Sequence, residues 1–138
     1  MTPLYFLDTN ILIYATSQAA NHAGKRDIAR RWMARGDWGL STQVLMEFYA
    51  NARLPRHGLP PDAPRRMVES LARRRPVQAM DAVLVLEALQ LRERYLLSHW
   101  DAAILCAAQR MGARILISED MNHGQVFGMV QVRNPFVA

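Results

Sequence analysis

The chain has 138 residues and a mass of 15.7 kDa, enough for one domain with its own core but not for two. Hydrophobic residues make up 51% of it, which excludes a disordered chain. The formal net charge is +5, and 16 of the 17 basic residues are arginines, which fits a polyanionic partner without proving one.

Two further features of the sequence indicate the compartment. The apolar stretch at residues 4–13 is interrupted by Asp8 and Asn10 and has no positively charged start, so it predicts neither a secretion signal nor a membrane span. Cys106 is the only cysteine, which allows no internal disulfide and is typical of a reducing compartment. We therefore expect a soluble cytoplasmic protein that does not contact a membrane.

The first predicted element is a short apolar strand that ends in Asp8. A helix is expected from residue 11, followed by a polar loop at residues 17–24 and a surface helix at residues 25–35. The carboxyl edge of such a parallel strand is where open α/β folds place their ligands. Asp8 is therefore the first candidate functional residue.

A second strand is predicted at residues 38–40, where the chain is again apolar. Ser41 or Thr42 would cap a helix that reaches about residue 53, with Glu47 at the border of its apolar face. Proline and glycine then indicate a loop, and a helix with a basic end follows at residues 63–74. The region at about 42–75 thus predicts a helical arm.

The remaining elements continue the alternation of strands and helices. A third strand is predicted at residues 77–80, and Asp81 would cap a helix that ends near residue 94, with Leu86 and Leu89 on its apolar face. The segment SHWDAAILCAA, residues 98–108, predicts a helix with Trp100 on its apolar face. Strands are expected at residues 114–118 and 130–132. This alternation predicts a single α/β domain over residues 1–138, with helices on both faces of a parallel sheet and right-handed crossovers.

Four acidic residues are predicted to meet at the carboxyl edge of this sheet: Asp8, Glu47, Asp101 and Asp120. Asp8 and Asp120 follow strands, Glu47 lies in a helix that leaves a strand, and Asp101 begins a helix that returns to one. Such carboxylates repel each other, and a hard divalent cation such as Mg²⁺ removes that cost. Zinc is disfavoured because the single cysteine and the four histidines show no ligand spacing.

Charge outside the four acids is strongly positive. The other 8 acidic residues stand against 17 basic ones, a balance of +9. An acidic site within a basic surface suits a phosphodiester backbone, because arginines grip phosphates while a cation engages the one to be cleaved.

The segments FLDTNILIYA, STQVLMEFYAN, SHWDAAILCAA and RILISED resemble, in this order, the PIN-domain nucleases and specifically the VapC toxins of bacterial toxin-antitoxin pairs. The resemblance spans residues 4 to about 132. It implies a three-layer α/β/α sandwich, Mg²⁺- or Mn²⁺-dependent endoribonuclease activity, a homodimer, and a cognate antitoxin that covers the region at about 46–74.

The same resemblance assigns roles to single residues. Asp8, Glu47, Asp101 and Asp120 match the four acids of the family in order, and Ser118 fills the hydroxyl position two residues before the fourth. Asp8 and Asp101 are the expected metal ligands, and Glu47 and Asp120 would act directly or through water.

Each acid also has a purely structural explanation. Asp8 could cap the first helix, and Asp101 could belong to a capping box with Ser98. Glu47 could pair with an arginine, and Asp120 could form a turn. These explanations require four independent coincidences.

Other polar residues are weaker candidates, for each of which a structural role competes with a functional one. Asn10 and Asn51 could support a carboxylate or a water from outside the site, or could be ordinary surface polarity. We expect Asp81 to be a helix cap, Glu119 a solvated neighbour of Asp120, His123 a loop residue and Cys106 a core thiol. The arginines at 65, 66 and 73–75 form either a solvated face or a surface for RNA or an acidic partner.

Two other functions are compatible with parts of the pattern. A phosphatase with an aspartyl nucleophile would use Asp8, but such enzymes carry a second Asp two residues on, where this chain has Asn10. A non-catalytic basic module that binds RNA or protein is the other alternative. Such a module would neither gain stability from Mg²⁺ or Mn²⁺ nor cleave RNA.

Overall fold

A six-stranded sheet forms the centre of the computed structural model, which describes residues 2–137. The strand order is β3-β2-β1-β4-β6-β5. The strands are β1 (Tyr5–Leu7), β2 (Trp38–Ser41), β3 (Val77–Gln78), β4 (Ile115–Ile117), β5 (Val126–Phe127) and β6 (Val130–Arg133). All neighbouring pairs are parallel except β5 with β6. The prediction of an α/β fold around a mostly parallel sheet is confirmed.

Six helices flank the sheet: α1 (Thr9–Thr16), α2 (Ala23–Met33), α3 (Thr42–Ala52), α4 (Ala63–Arg74), α5 (Ala82–Tyr95) and α6 (His99–Met111). The predicted caps are present: the side chains of Ser41, Asp81 and Ser98 each accept a hydrogen bond from the first turn of α3, α5 and α6. Gly112 ends α6 with a positive φ of 84°, which glycine adopts without strain. No helix in the described part of the chain is long and apolar enough to cross a bilayer.

The core lies between the sheet and the buried helix α6. All seven residues from 102 to 108 are buried. Four are alanines, and the other three are Ile104, Leu105 and Cys106, so the segment has no charged or polar side chain to keep in water. Beneath them, Phe6 in β1 pairs with Leu116 in β4, and neither is exposed. The small alanine side chains let α6 approach the sheet closely, so its first turn is held at the carboxyl edge of β1 and β4.

Strand β5 was not predicted. It forms an antiparallel hairpin with β6, and Gly128 in the turn has a φ of +58°. Each strand contributes only two residues to the pairing, and the segment before β5 is polar. The sequence therefore shows no alternation of apolar and polar residues that would predict β5. The edge of the sheet is therefore antiparallel.

Two predictions about helix faces were wrong. Trp100 was expected on the buried face of α6, yet 61% of its surface is exposed, because it lies in the first turn and precedes the segment that packs on the sheet. On α5, Leu86 and Leu89 were expected to be buried but are 61% and 40% exposed. Leu84 and Ala88, four residues apart, form the fully buried contact of α5 instead.

Candidate active site

Four acidic side chains from separate segments line one pocket of about 130 Å³. They are the four predicted from the sequence, Asp8, Glu47, Asp101 and Asp120. Asp8 follows β1, Glu47 lies on α3, Asp101 lies in the first turn of α6 and Asp120 follows β4. The other lining residues are Thr9, Asn10, Gln43, Asn51, Trp100 and Ile104.

Asp8 is the most buried of the four acids, with 5% of its surface exposed. Its Oδ1 accepts a hydrogen bond of 2.7 Å from the backbone N–H of Thr9, so the structural role as N-cap of α1 is also real. Its Oδ2 accepts a bond of 2.8 Å from the Oγ of Ser118, a side chain with no exposed surface. The carboxylate is therefore fixed in direction by two donors.

Burial dominates the electrostatics of Asp8. It raises the pKa of the carboxyl to about 7, against the lowering effect of the bonds from Ser118 and Thr9 and with smaller contributions from the charges of Asp120 and Glu47. An acid whose ionised form is disfavoured at neutral pH, beside other acids, indicates a place where a positive charge would be strongly bound.

Glu47 is held by two neutral donors. Thr9 Oγ1 donates to its Oε1 at 3.1 Å, and Gln43 Nε2 donates to the same oxygen at 3.3 Å. No arginine among residues 2–137 forms a salt bridge with it, so the suggested pairing with an arginine is wrong for the described chain. Thr9 thus joins the first two acids, a link that its position between Asp8 and Asn10 did not reveal.

Asp120 lies at the exposed side of the pocket. Its Oδ2 accepts a hydrogen bond of 2.9 Å from Asn10 Nδ2, and its backbone N–H donates to Ser118 Oγ at 3.2 Å. Partial burial raises the pKa of Asp120, and the charges of Asp101, Glu119 and Glu47 raise it further, while Lys25 lowers it. Asn10 therefore supports a carboxylate, one of the two roles left open for it.

Asp101 combines a structural and a site position. Its backbone N–H donates to Ser98 Oγ at 3.1 Å, which is the expected helix cap, but its side chain lines the pocket. The capping explanation accounts for Ser98 and leaves the Asp101 carboxylate free for another role.

Two residues near the site, Glu119 and His123, were predicted to have no functional role. Glu119 is not solvated as predicted: it accepts hydrogen bonds from Tyr14 and from Lys25, the latter at 2.6 Å, and its side chain is 17% exposed. His123 has the expected loop role, since its Nδ1 accepts from the backbone of Asn134 at 2.9 Å.

Two more predicted structural roles are confirmed outside the pocket. Asp81 caps α5 through a bond of 2.8 Å from Leu84 N and also pairs with Arg110. Cys106 is 2% exposed, and burial raises the pKa of its thiol to about 11, as expected for a core residue.

A buried histidine was missed by the sequence analysis. His57, 2% exposed, has its Nε2 2.9 Å from Asn51 Oδ1 and its Nδ1 2.9 Å from Ser17 Oγ. Arg56 also donates to Asn51 Oδ1, at 3.1 Å. With its oxygen occupied twice, Asn51 has only its Nδ2 hydrogens left, and these bond to no described residue at the pocket wall. Nothing in the spacing of residues 17, 51 and 57 signals this arrangement.

The pocket residues fit a hard divalent cation by their chemistry. All four charged groups are carboxylates, and no histidine or cysteine lines the pocket. The described residues contain no ready-made cluster of three His, Cys, Asp or Glu ligands. The side-chain donors to Asp8, Glu47 and Asp120 are neutral. The raised pKa of Asp8 means that its ionisation costs free energy, and a bound cation would remove that cost.

Several solved structures have a fold similar to that of this chain. A chain of a toxin-antitoxin complex from Klebsiella pneumoniae is 22% identical, with a TM-score of 0.66 over 95% of this chain and 97% of that one. The sarcin-ricin loop cleaving toxin VapC20 of Mycobacterium tuberculosis is 18% identical, with a TM-score of 0.59 over 84% and 91%. VapBC2 from Rickettsia felis, bound to promoter DNA, is 17% identical, with a TM-score of 0.64 over 94% and 97%.

Sequence comparison identifies the family. No curated protein matches the chain. A family model described as "PIN domain" matches residues 5–126, a span that contains all four pocket acids. The chain therefore belongs to the PIN-domain family.

Proposed function

We propose that this protein is an endoribonuclease that depends on Mg²⁺ or Mn²⁺ and serves as the toxin of a toxin-antitoxin pair. One observation carries the proposal: four carboxylates that are far apart in the sequence line one pocket at the carboxyl edge of the sheet. Four coincidental structural roles do not account for this convergence, because Asp101 and Glu47 have free carboxylate oxygens that their caps and neighbours do not use.

The four acids have distinct proposed roles. Asp8 and Asp101 would hold the cation, with Glu47 and Asp120 binding it directly or through water. The chemistry supplied by the bound cation is activation of a water and stabilisation of charge on the phosphate. Ser118 and the Thr9 backbone aim the Asp8 carboxylate, and Thr9 Oγ1 and Gln43 leave Glu47 Oε2 free to accept a proton from the attacking water.

RNA is the proposed substrate. The chain carries a net charge of +5 although its site is acidic, so the surface outside the pocket attracts a phosphate backbone. Arg65, Arg66 and Arg73 on α4 have side chains 67–80% exposed. Each pairs with an acid on its own helix or at its cap, pairs that are worth little in water and can be exchanged for phosphates. The description of VapC20, which has a similar fold, as a sarcin-ricin loop cleaving toxin supports this choice.

The proposed partners are an antitoxin and a second copy of the chain. One of the similar folds comes from a complex named as a toxin-antitoxin complex. On α3, Met46 is 74% exposed and Tyr49 is 44% exposed, and both lie in the predicted antitoxin region at about 46–74. Expression with the small protein encoded beside it should yield a stable complex in the cytoplasm. Failure of the two proteins to co-purify would contradict the proposed toxin role but not the proposed nuclease activity.

The two alternative functions make different predictions. A non-catalytic module gives no reason for Asp8 to be buried beside three other acids, and an aspartyl phosphatase lacks its general acid, because Asn10 stands where the second Asp would be. The decisive test is incubation of the purified protein with single-stranded RNA in Mn²⁺, in Mg²⁺ and in EDTA, with DNA of the same sequence as control. Cleavage of RNA with either cation and none in EDTA supports the proposal. No cleavage under any of these conditions would overturn it.

A further inference from the structure

Trp100 lies where two cavities meet. It lines the acidic pocket and an adjoining apolar groove of about 510 Å³, and Gln43 and Glu47 also line both. The remaining groove residues are Met46, Ala50 and Met80. The indole is 61% exposed and Met46 is 74% exposed. A broad apolar face therefore opens directly beside the candidate site.

One contact holds the backbone of Trp100 and another holds its indole. Gln43 Nε2 donates to the backbone oxygen of Trp100 at 3.3 Å, which ties the first turn of α6 to α3. The ring of His99 packs edge-on against the indole, with centroids 5.2 Å apart and an interplanar angle of 65°. A preordered aromatic face binds a flat ligand without a large cost in side-chain ordering.

Gln43 has a buried acceptor without a donor at the wall that the two cavities share. The residue is 7% exposed, and its Nε2 donates to Glu47 and to the backbone oxygen of Trp100. Both partners are acceptors, so the amide cannot be turned round without losing two bonds. Its Oε1 then has no partner among residues 2–137. A buried acceptor without a donor costs stability.

We infer that the groove binds one unpaired nucleobase of the RNA, stacked on Trp100, while the adjacent phosphate lies in the acidic pocket. This rests on the proposed ribonuclease function. The shared wall of the two cavities places neighbouring nucleotides in them together, and a base offers a flat apolar face to Trp100. A stacked base cannot be paired in a duplex, so the substrate is RNA that is single-stranded at the cleavage site.

Intrinsic fluorescence in EDTA tests this binding without any cleavage. Trp38 is 2% exposed and Trp32 is half-buried, so a stacked base should quench mainly Trp100. The probes are a single-stranded RNA hexamer and an abasic hexamer with the same sugar-phosphate backbone. We expect quenching by the first and none by the second, and about 5- to 100-fold weaker binding of the RNA hexamer by Trp100→Ala, measured by anisotropy of a labelled strand.

Two further variants separate stacking from general damage. Trp100→Phe keeps an aromatic face and should recover most of the affinity while losing the quenching. Met129→Ala removes an apolar residue that is 69% exposed in the β5–β6 turn and should bind like the wild type. Equal binding of the two hexamers, or unchanged binding by Trp100→Ala, would overturn the inference.

Cleavage with Mn²⁺ separates the inference from the function on which it rests. Wild-type protein that quenches with RNA but does not cleave it would remove the nuclease proposal and keep the base site. Wild-type protein that cleaves, together with a Trp100→Ala variant that cleaves the same positions at the same rate, would remove only the base site. Conversion of a dimer into a monomer by Trp100→Ala, with RNA binding intact, would assign the groove to a second copy and overturn the inference.

Discussion

Ser118 Oγ donates a hydrogen bond of 2.8 Å to Asp8 Oδ2, across 110 residues of sequence. The same Oγ accepts the backbone N–H of Asp120 at 3.2 Å. One buried hydroxyl thus sets the position of an acid that follows β1 relative to an acid that follows β4. The serine or threonine two residues before the fourth acid, expected from the resemblance, has a physical reason in this contact.

Removal of this hydroxyl should make Asp8 harder to ionise. Because the bond favours the carboxylate, Ser118→Ala should raise the Asp8 pKa above its value of about 7, by about 1 unit. The measurement is an NMR titration of the Asp8 side-chain carbon in metal-free protein. Ser118→Thr keeps a hydroxyl and should retain the wild-type midpoint. A midpoint that does not move in Ser118→Ala would contradict the contact.

Asp8 should cost the protein stability when it is ionised. Its pKa in the folded chain, about 7, lies above the ordinary value of 3.8, so the folded state binds the proton more tightly than the unfolded state does. Stability is therefore lost as pH rises from about 4 to 7. In EDTA at pH 8, Asp8→Asn should unfold in urea with a free energy about 1–3 kcal/mol higher than the wild type.

The pH dependence of that difference is its control. At pH 5 most wild-type Asp8 is protonated, so the gain of Asp8→Asn should largely disappear. A variant that is less stable than the wild type at pH 8, or a gain that is equal at both pH values, would contradict the electrostatic account.

A divalent cation should stabilise the fold through the same carboxylates. At a Mn²⁺ concentration about 100 times the dissociation constant, binding contributes about 2.7 kcal/mol, which should raise the melting temperature by several degrees. Asp8→Asn and Asp101→Asn should lose the shift, which calorimetry with and without EDTA measures. Glu119→Gln is the matched control, because Glu119 binds Lys25 and Tyr14 outside the pocket. An equal shift in all four proteins would place the cation elsewhere.

His57 should act on cleavage only through Asn51. His57→Phe preserves the buried ring but removes one of the two bonds to Asn51 Oδ1 and leaves only that from Arg56, so Asn51 would be held less firmly at the pocket wall. We expect about a tenfold lower kcat/KM for His57→Phe and for Asn51→Ala, and no further loss in the double variant. Losses that multiply in the double variant would show that the two residues act independently.

The sequence allowed prediction of those features that follow from the direction of the chain. Parallel strands end at one edge, so acids placed after β1 and β4, or within the first two turns of α3 and α6, had to converge there. The sequence did not predict the exposure of Trp100, the Thr9–Glu47 bond or the His57–Asn51 bond. Each of these depends on which side chains meet across different segments of the fold. Period and spacing contain no record of such contacts. Strand β5, and with it the β5–β6 hairpin, was missed because a strand of two residues is too short to show alternation.

The most direct test of the central claim compares Asp101→Asn with Asp81→Asn in RNA cleavage with Mn²⁺. Both acids lie at the start of a helix, but Asp101 lines the acidic pocket whereas Asp81 caps α5 and pairs with Arg110. We predict that Asp101→Asn lowers the cleavage rate by about 100-fold or more, while Asp81→Asn loses stability but cleaves at nearly the wild-type rate below its melting temperature. Equal cleavage by Asp101→Asn and the wild type would contradict the assignment of the four carboxylates to one catalytic site.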